Sequence, residues 1–413
     1  MGSTLSSSLN ALPPLQDLIL PTPEGYTTLL NIFQYFPLVT LIIWITPWWP
    51  AGKTSPKNSS LTINGRIAWF LMEITGPANL LYILSNLPQR LNMQTLPLPN
   101  KLVAGVYVLH YINRAIISPF FAAPSMSPIH VFVMGSAMAF NWLNSACLAG
   151  WLVGYNVTTI PGFYATSDPA TASLRNKAMD VPTPETVLGD SMASASSGST
   201  SLLIPAIGVV LFFAGMAGNI WAERTLFALR REAADKKHDR DANKNATDEK
   251  TSNGERKDNT NKYHKIYIIP PSRGLFSSIL YPHYVCEWLE WTGFALLGTT
   301  VFPSLTPPSA MLLPDMLSTA TTGTTAGLGS LSSARGGPAP PLRLAPWLIP
   351  PVWLASRLGV PVVPLPAILF VINAVANMLP HARWGRKWYV ERFGEGERGV
   401  NGRGAVVPFL SWM

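Results

Sequence analysis

Apolar residues along this chain gather into windows of about 20 residues, long enough to cross a hydrocarbon core of roughly 30 Å. They lie near residues 28–48, 67–86, 102–122, 129–154, 202–222, 284–303 and 360–379. Two segments break the pattern. Residues 232–262, "EAADKKHDRDANKNATDEKTSNGERKDNTNK", hold almost no apolar side chains, and such a run cannot offset its ordering entropy. Residues 317–341 are rich in Gly, Ser, Thr, Ala and Pro and read as a flexible insert. The pattern predicts an all-α integral membrane protein, a bundle of about seven transmembrane helices forming one domain. Residues 1–27 precede the first span, 28–222 carry five helices, and 223–283 form a long loop with a disordered basic insert. Residues 284–413 carry the last two helices and a tail.

Composition sharpens this picture. Of 413 residues, 48% are hydrophobic and only 13% charged, and the mean hydropathy is +0.21. A soluble domain carries about 25% charged residues. The formal charge of +8 is concentrated: residues 223–273 hold thirteen of the 30 Lys and Arg, and six more follow residue 380. Nine acidic residues share that first segment, which argues against nucleic acid as the partner and for the excess of Lys and Arg on cytoplasmic loops. The first 52 residues carry no Lys or Arg, so a secretory signal is not expected and the N-terminus should face the lumen. Alternation then puts the 223–283 loop and the C-terminal tail in the cytosol and 317–341 in the lumen. Cys147 and Cys286 fall in or beside apolar runs and read as small buried hydrophobes.

Several windows carry residues that a bilayer excludes. "VLHYINRAIISPFF" at 108–121 holds His110, Tyr111, Asn113 and Arg114, with His110 and Arg114 four apart on one helical face. The second window holds Glu73, followed by Pro77. The fourth holds Asn141 and Asn144. The fifth ends "GMAGNIWAERTLFALRR", with Asn219 and Glu223 four apart and Arg230 seven further on. The sixth opens "YPHYVCEWLEW", with His283, Tyr284, Glu287 and Glu290, and the last exits into "HARWGRKWYVERF". Ionisable groups at membrane depth face a bundle interior or cavity. With the orientation above, Glu73, Arg114, Asn219, Glu223, Arg230, His283, Tyr284 and Arg386 gather toward the cytosolic ends of their spans, which points to one cytosol-facing site. Arginines there suit a phosphate-bearing ligand. A Tyr and a Glu deeper in suit one polar atom on an apolar molecule, a phenol donating to a carbonyl oxygen with a carboxyl orienting it. An HExxH pair, a P-loop and a Ser-His-Asp pattern are missing. The "GLGS" at 327–330 lacks the third glycine of a dinucleotide fingerprint.

Five of these stretches, in order, resemble the steroid 5-alpha-reductase family, membrane enzymes that use NADPH to reduce a carbon–carbon double bond conjugated to a carbonyl. "AWFLMEI" at 68–74 is similar to the family's second-helix motif and sets Glu73 on its catalytic glutamate. "LHYINR" at 109–114 is similar to "LHYxxR" and sets Tyr111 on its catalytic tyrosine. "GMAGNIWAERTLFALRR" resembles the stretch whose Asn, acidic residue and Arg contact the cofactor, which carries over to Asn219, Glu223 and Arg230. "YIIPPSRGLFSSILYPHYVCEWLEW" resembles the segment that supplies cofactor contacts, here Tyr267, His283, Tyr284 and Glu287. Arg114 and Arg386 are further phosphate partners in this reading. Near residue 385 the chain departs from the family, with Gly385 and Arg386 where a His-His pair usually stands.

The resemblance covers roughly residues 60–300 and the last 35. It implies an endoplasmic reticulum membrane reductase with NADPH arriving from the cytosol and a lipid substrate from the bilayer. "AWFLxE" with "LHYxxR" is similar to the branch that reduces 3-oxo-delta4-steroids, whereas "PHY" at 282–284 is similar to the polyprenol-reductase and enoyl-CoA-reductase branches. A polyprenal or 2-enoyl thioester therefore stands as an alternative substrate. A non-catalytic lipid-binding protein or transporter is the alternative of another class, which the lack of an internal repeat lowers.

Overall fold

The structure, a computed structural model, describes residues 13–46, 60–155, 159–161, 202–247, 262–263, 266–301, 342–357, 363–397 and 399–410. The chain is built of helices. In order these are α1 (Leu15–Ile19), α2 (Pro23–Tyr35), α3 (Pro37–Ile45), α4 (Gly65–Arg90), α5 (Leu98–Tyr111), α6 (Val131–Val153), α7 (Leu203–Thr247), α8 (Pro282–Leu297), α9 (Ile349–Arg357) and α10 (Leu365–Phe393). Local sequence sets their ends. The Thr22 side chain accepts from the Gly25 N–H at 3.2 Å to start α2, with Pro23 as first helical residue. Asn64 does the same for Arg66 N–H at the head of α4. Gly154 ends α6 at φ 111°, a conformation that favours glycine. Two short ribbons tie loops together: β1 (Thr62–Ile63) runs antiparallel to β2 (Ile129–His130), and β3 (Thr159–Pro161) parallel to β4 (Leu342–Leu344).

Among the described residues, five helical segments are long and apolar enough to cross a membrane: Pro23–Ile45, Gly65–Arg90, Val131–Val153, Leu203–Arg240 and Leu365–Phe393. Many of their large apolar side chains point outward, among them Leu41, Leu81, Phe132, Val210 and Phe213, as a lipid-facing surface requires. The other two expected spans are helical but differ. The 284–303 stretch forms α8, whose 16 residues reach about 24 Å. The 102–122 stretch begins as α5 and continues as a π-helix over Ile112–Ala122.

The expectation that residues 232–262 lack structure is corrected at its start. Helix α7 runs on to Thr247, a total of about 68 Å. Ala233, Ala234 and the Glu232–Lys236 spacing favour helix continuation, and Asp235 is pinned by Lys262 at 2.5 Å. Residues 248–261 and the 317–341 insert lie outside the described residues.

Helices α7 and α8 pack most closely. Added Cβ atoms at Gly208 and Gly215 would strike the α8 backbone, and one at Gly293 would strike α7. Small residues let two backbones approach at membrane depth. This seam sets the face of α7 that carries Asn219 and Glu223 against α8. The main core joins Tyr26, Leu30 and Phe33 of α2, Leu80 and Ile83 of α4, Tyr107 of α5, Leu148 of α6, Trp291 and Phe294 of α8, and Phe370 of α10.

Beyond α10 the tail folds back on the 266–281 loop. Leu280 and Tyr281 donate backbone N–H groups to Gly404 and Ala405. Buried Arg403 donates to the carbonyls of Pro270, Phe276, Gly399 and Val400, and this burial pulls its pKa below the ordinary guanidinium value.

Candidate functional site

Arg114 lies at the centre of the site, in the π-helix that follows α5. Its Nη1 is 2.7 Å from Glu223 Oε1 of α7, its Nε 3.4 Å from Glu73 Oε1 of α4, and its Nη2 3.9 Å from Glu287 Oε2 of α8. One guanidinium thus meets carboxylates from three helices. The Trp69 ring lies 4.8 Å from the Arg114 guanidinium carbon, and its indole N–H donates to the Arg114 carbonyl at 3.1 Å. The winding here is π-helical, with i→i+5 hydrogen bonds such as that from Ala123 N–H to the Ser118 carbonyl. Arg114 and Ser118, four apart, reach the same partner, the Ser118 hydroxyl donating to Glu223 Oε2 at 3.2 Å.

Asn219, one α7 turn before Glu223, donates to Glu287 Oε2 at 3.3 Å. Four expected site residues from four segments, Glu73, Arg114, Glu223 and Glu287, therefore meet, with Asn219 supporting them. His110 turns to a different partner. Its Nδ1 is 2.7 Å from Glu290 Oε1, both side chains being buried.

A cavity of about 810 Å³ opens beside this network. Glu73, Tyr111, Arg114, Glu223, Arg230, Tyr267, Tyr284 and Glu287 line it, with Ser118, Ser125 and Asn141. The rest of its wall is largely apolar: Phe36, Val39 and Ile43 from the α2–α3 pair, Met72 from α4, Val133 and Phe140 from α6, and Phe370 and Met378 from α10. Polar groups at one part of an otherwise apolar wall are the usual make-up of a small-molecule site.

Tyr111 is buried at the cavity wall. Its hydroxyl donates to Asn141 Oδ1 at 3.2 Å, and not to Glu73 as expected. Asn141 Nδ2 donates to the Met72 carbonyl at 2.7 Å, which fixes the amide with its oxygen toward the phenol. Glu73 turns instead to the stronger electrostatic partner, Arg114.

Arg230 donates Nη1 to the Ser125 carbonyl at 3.1 Å and Nη2 to the Tyr263 carbonyl at 3.2 Å. Its buried Nε has no hydrogen-bond partner, and no carboxylate pairs with it among the described residues. Tyr267 packs edge-on to Trp388, ring centres 5.0 Å apart, with Arg392 over its face.

Four expected cofactor residues are placed differently. Asn219, bonded to Glu287, is buried and not part of the cavity wall. His283 packs on Tyr281 and Tyr284 and is not part of the cavity wall. Buried Arg386 also lies outside the wall. Its Nε donates to the Arg403 carbonyl at 2.7 Å and its Nη2 pairs with Glu395 at 3.1 Å, so the folded-back tail engages it. Arg114 lines the cavity, but its charge is met by three carboxylates, which makes it their counter-ion rather than a free phosphate partner.

Asn141, Trp69 and Ser118 join the site without a role expected from the sequence. Trp69 carried a signal, being one helical turn before Glu73. Asn141 carried another as an amide inside an apolar window.

No family model matches the chain. An uncharacterized protein of Schizosaccharomyces pombe is 29% identical over 280 residues, a stretch that covers 65% of this chain and 80% of that protein. The chain is thus similar to a fungal protein over most of that protein's length.

Proposed function

We propose that this protein is an NADPH-dependent membrane reductase of the carbon–carbon double bond in an α,β-unsaturated carbonyl lipid, a 3-oxo-delta4-steroid being the substrate class put forward. The observation that carries the reading is the meeting of Glu73, Arg114, Glu223 and Glu287 from four segments on a cavity with otherwise apolar walls. These are the residues on which the motif resemblance rests, and nothing in their sequence spacing requires them to meet. The site faces the cytosol in this proposal, within a multi-pass protein of the endoplasmic reticulum membrane.

The residues present suit a nicotinamide dinucleotide. Glu223 and Glu287 accept hydrogen bonds, as a carboxamide or ribose hydroxyls need. Arg230 is a cation with an orphaned Nε at the cavity wall, as a phosphate needs. Tyr267 and Tyr284 supply aromatic wall beside it. When bound, NADPH supplies a hydride for the β carbon of the enone. The protein's part is to hold the carbonyl. The Tyr111 hydroxyl leaves Asn141 and donates to the carbonyl oxygen, which carries the developing enolate charge. Glu73 keeps the Arg114 guanidinium beside this point, and the buried walls exclude water. A proton drawn ultimately from solvent at the α carbon, together with the hydride at the β carbon, balances the reduction.

Two measurements test the proposal in turn. Equilibrium titration of purified protein with NADPH should show saturable binding that Arg230→Ala weakens. Mass spectrometry of membranes incubated with NADPH and a panel of steroid enones, polyprenals and enoyl thioesters should show a product heavier by two hydrogens. Turnover of a polyprenal or enoyl thioester alone would reassign the substrate. Lack of both NADPH binding and turnover would reject the reaction and favour a lipid-binding protein.

A further inference from the structure

The face of α10 that turns away from the cavity carries its own arrangement. His381, Trp388 and Tyr389 line the cavity, whereas Arg383, Trp384 and Lys387 do not. Arg383 and Trp384 are neighbours and Lys387 follows one turn on; Arg383 and Trp384 meet the end of α3. The Trp384 indole N–H donates to the Ile43 carbonyl at 2.7 Å. The Arg383 guanidinium carbon is 5.0 Å from the Trp384 ring centre and 5.5 Å from that of Trp44, and its Nη1 is 3.4 Å from the Trp44 carbonyl. Lys387 Nζ is 5.3 Å from the Trp384 ring. Neither cation has an ion-pair partner among the described residues. Glu391, one turn beyond Lys387, makes none with it.

Depth and surroundings limit what such a pair of cations can meet. Arg383 is 18 residues into α10, about 27 Å along its axis. Trp44 is 21 residues beyond Pro23, about 32 Å along the α2–α3 span. Both distances match one hydrocarbon thickness, so the cluster stands where acyl chains give way to headgroups. Trp, Arg and Lys are the residues enriched at that level. Directly before it, α3 turns Leu38, Leu41, Ile42 and Ile45 outward, Ile42 being 63% and Ile45 79% exposed. An apolar strip leading to two unpaired cations held on indole rings has the form of a phospholipid: acyl chain below, phosphate above.

We infer that Arg383 and Lys387, held on Trp384 and Trp44, bind the headgroup of an anionic phospholipid whose acyl chain lies along α3. The site is distinct from the cavity and does not depend on the reductase reading. Two cations near a membrane surface give a preference for an anionic over a zwitterionic lipid on the order of tenfold at moderate salt.

The test uses the full-length protein purified in detergent and offered equal amounts of phosphatidylserine and phosphatidylcholine, with bound lipid counted by native mass spectrometry. The expected result is phosphatidylserine retained in excess, the excess lost in the Arg383→Gln, Lys387→Gln double variant and kept in a Lys236→Gln, Lys237→Gln control. Lys387→Glu alone, which leaves the Arg383 stack intact, should already reduce the excess. A matching melting temperature shows that the variants are folded; if the double variant melts early, Lys387→Glu decides. Equal retention of both lipids by wild type, or an excess unchanged in the variants, would overturn the inference. Abolition of the excess by millimolar inorganic phosphate would also overturn it, since the site would then be one for soluble anions.

Discussion

Replacing Arg114 by glutamine removes one charge and leaves three carboxylates facing one another inside the bundle. The separations of 2.7, 3.4 and 3.9 Å to Glu223, Glu73 and Glu287 correspond, at an effective dielectric of about 20, to attractions of roughly 6, 5 and 4 kcal/mol. Desolvation of all four groups and repulsion among the carboxylates offset most of this. Breaking a buried pair nonetheless destabilises by about 3–5 kcal/mol, because the partner charge stays buried. The side chains are only 10–16% exposed, so solvent cannot screen the loss. Arg114→Gln should therefore lose about 3–5 kcal/mol in reversible unfolding by sodium dodecyl sulfate followed by circular dichroism. Glu223→Gln alone should lose less, because Glu73 and Glu287 still pair with Arg114. The double variant should fall short of the sum by at least about 1 kcal/mol, since the two residues touch. A loss below about 1 kcal/mol for Arg114→Gln, or strict additivity, would refute the counter-ion role.

Tyr111→Phe removes one hydroxyl and keeps the ring; on the proposed reaction it should lower turnover by about 10²–10³ while NADPH affinity, followed by fluorescence titration, stays near wild type. Glu73→Gln should also lower turnover, and the pair together should lose less than the product of the two effects. Gly215→Val places side-chain atoms against the α8 backbone at Glu290 and Cys286 and should lower stability by about 1–3 kcal/mol or more, read by the same unfolding assay. Deleting residues 248–261, a polar run, should leave NADPH binding and turnover within a few-fold, loop closure being only weakly length-dependent. In a microsomal assay Asn245 of "NAT" should stay unglycosylated, and a glycan there would reverse the proposed orientation of α7.

The site was legible in the sequence where an expensive residue sat in an apolar window. Glu73, Arg114, Glu223 and Glu287 were visible because a lone charge at membrane depth needs a partner. Who pairs with whom was not visible. The π-helical turn after Tyr111 changes which residues share a face, and no propensity marks such a turn in advance. Tyr111 was expected to be supported by Glu73, but an amide from α6 reached it first, and that depends on how α4 and α6 cross. Arg386 was misplaced because its partners, Glu395 and the Arg403 carbonyl, come from a tail whose path is set by tertiary contacts. The helical stretch 232–247 was hidden by its polarity: an exposed helix with many charges looks like an unfolded run unless local propensity is counted.

The four-way ionic cluster also bears on how the protein is made. Glu73, Arg114, Glu223 and Glu287 lie on four different helical segments, and an ionisable side chain at membrane depth opposes insertion, by up to about 2.5–3.5 kcal/mol at a helix centre. Helix α8, short and carrying both Glu287 and Glu290, is the least able to enter alone. Its glycine seam with α7 offers a way in, because the two can insert as a hairpin already in register. The cluster closes only when α4, the Arg114 segment and that hairpin have met, so it marks completion of the bundle. Loss of any one charge would then lower the yield of assembled protein as well as act on the site.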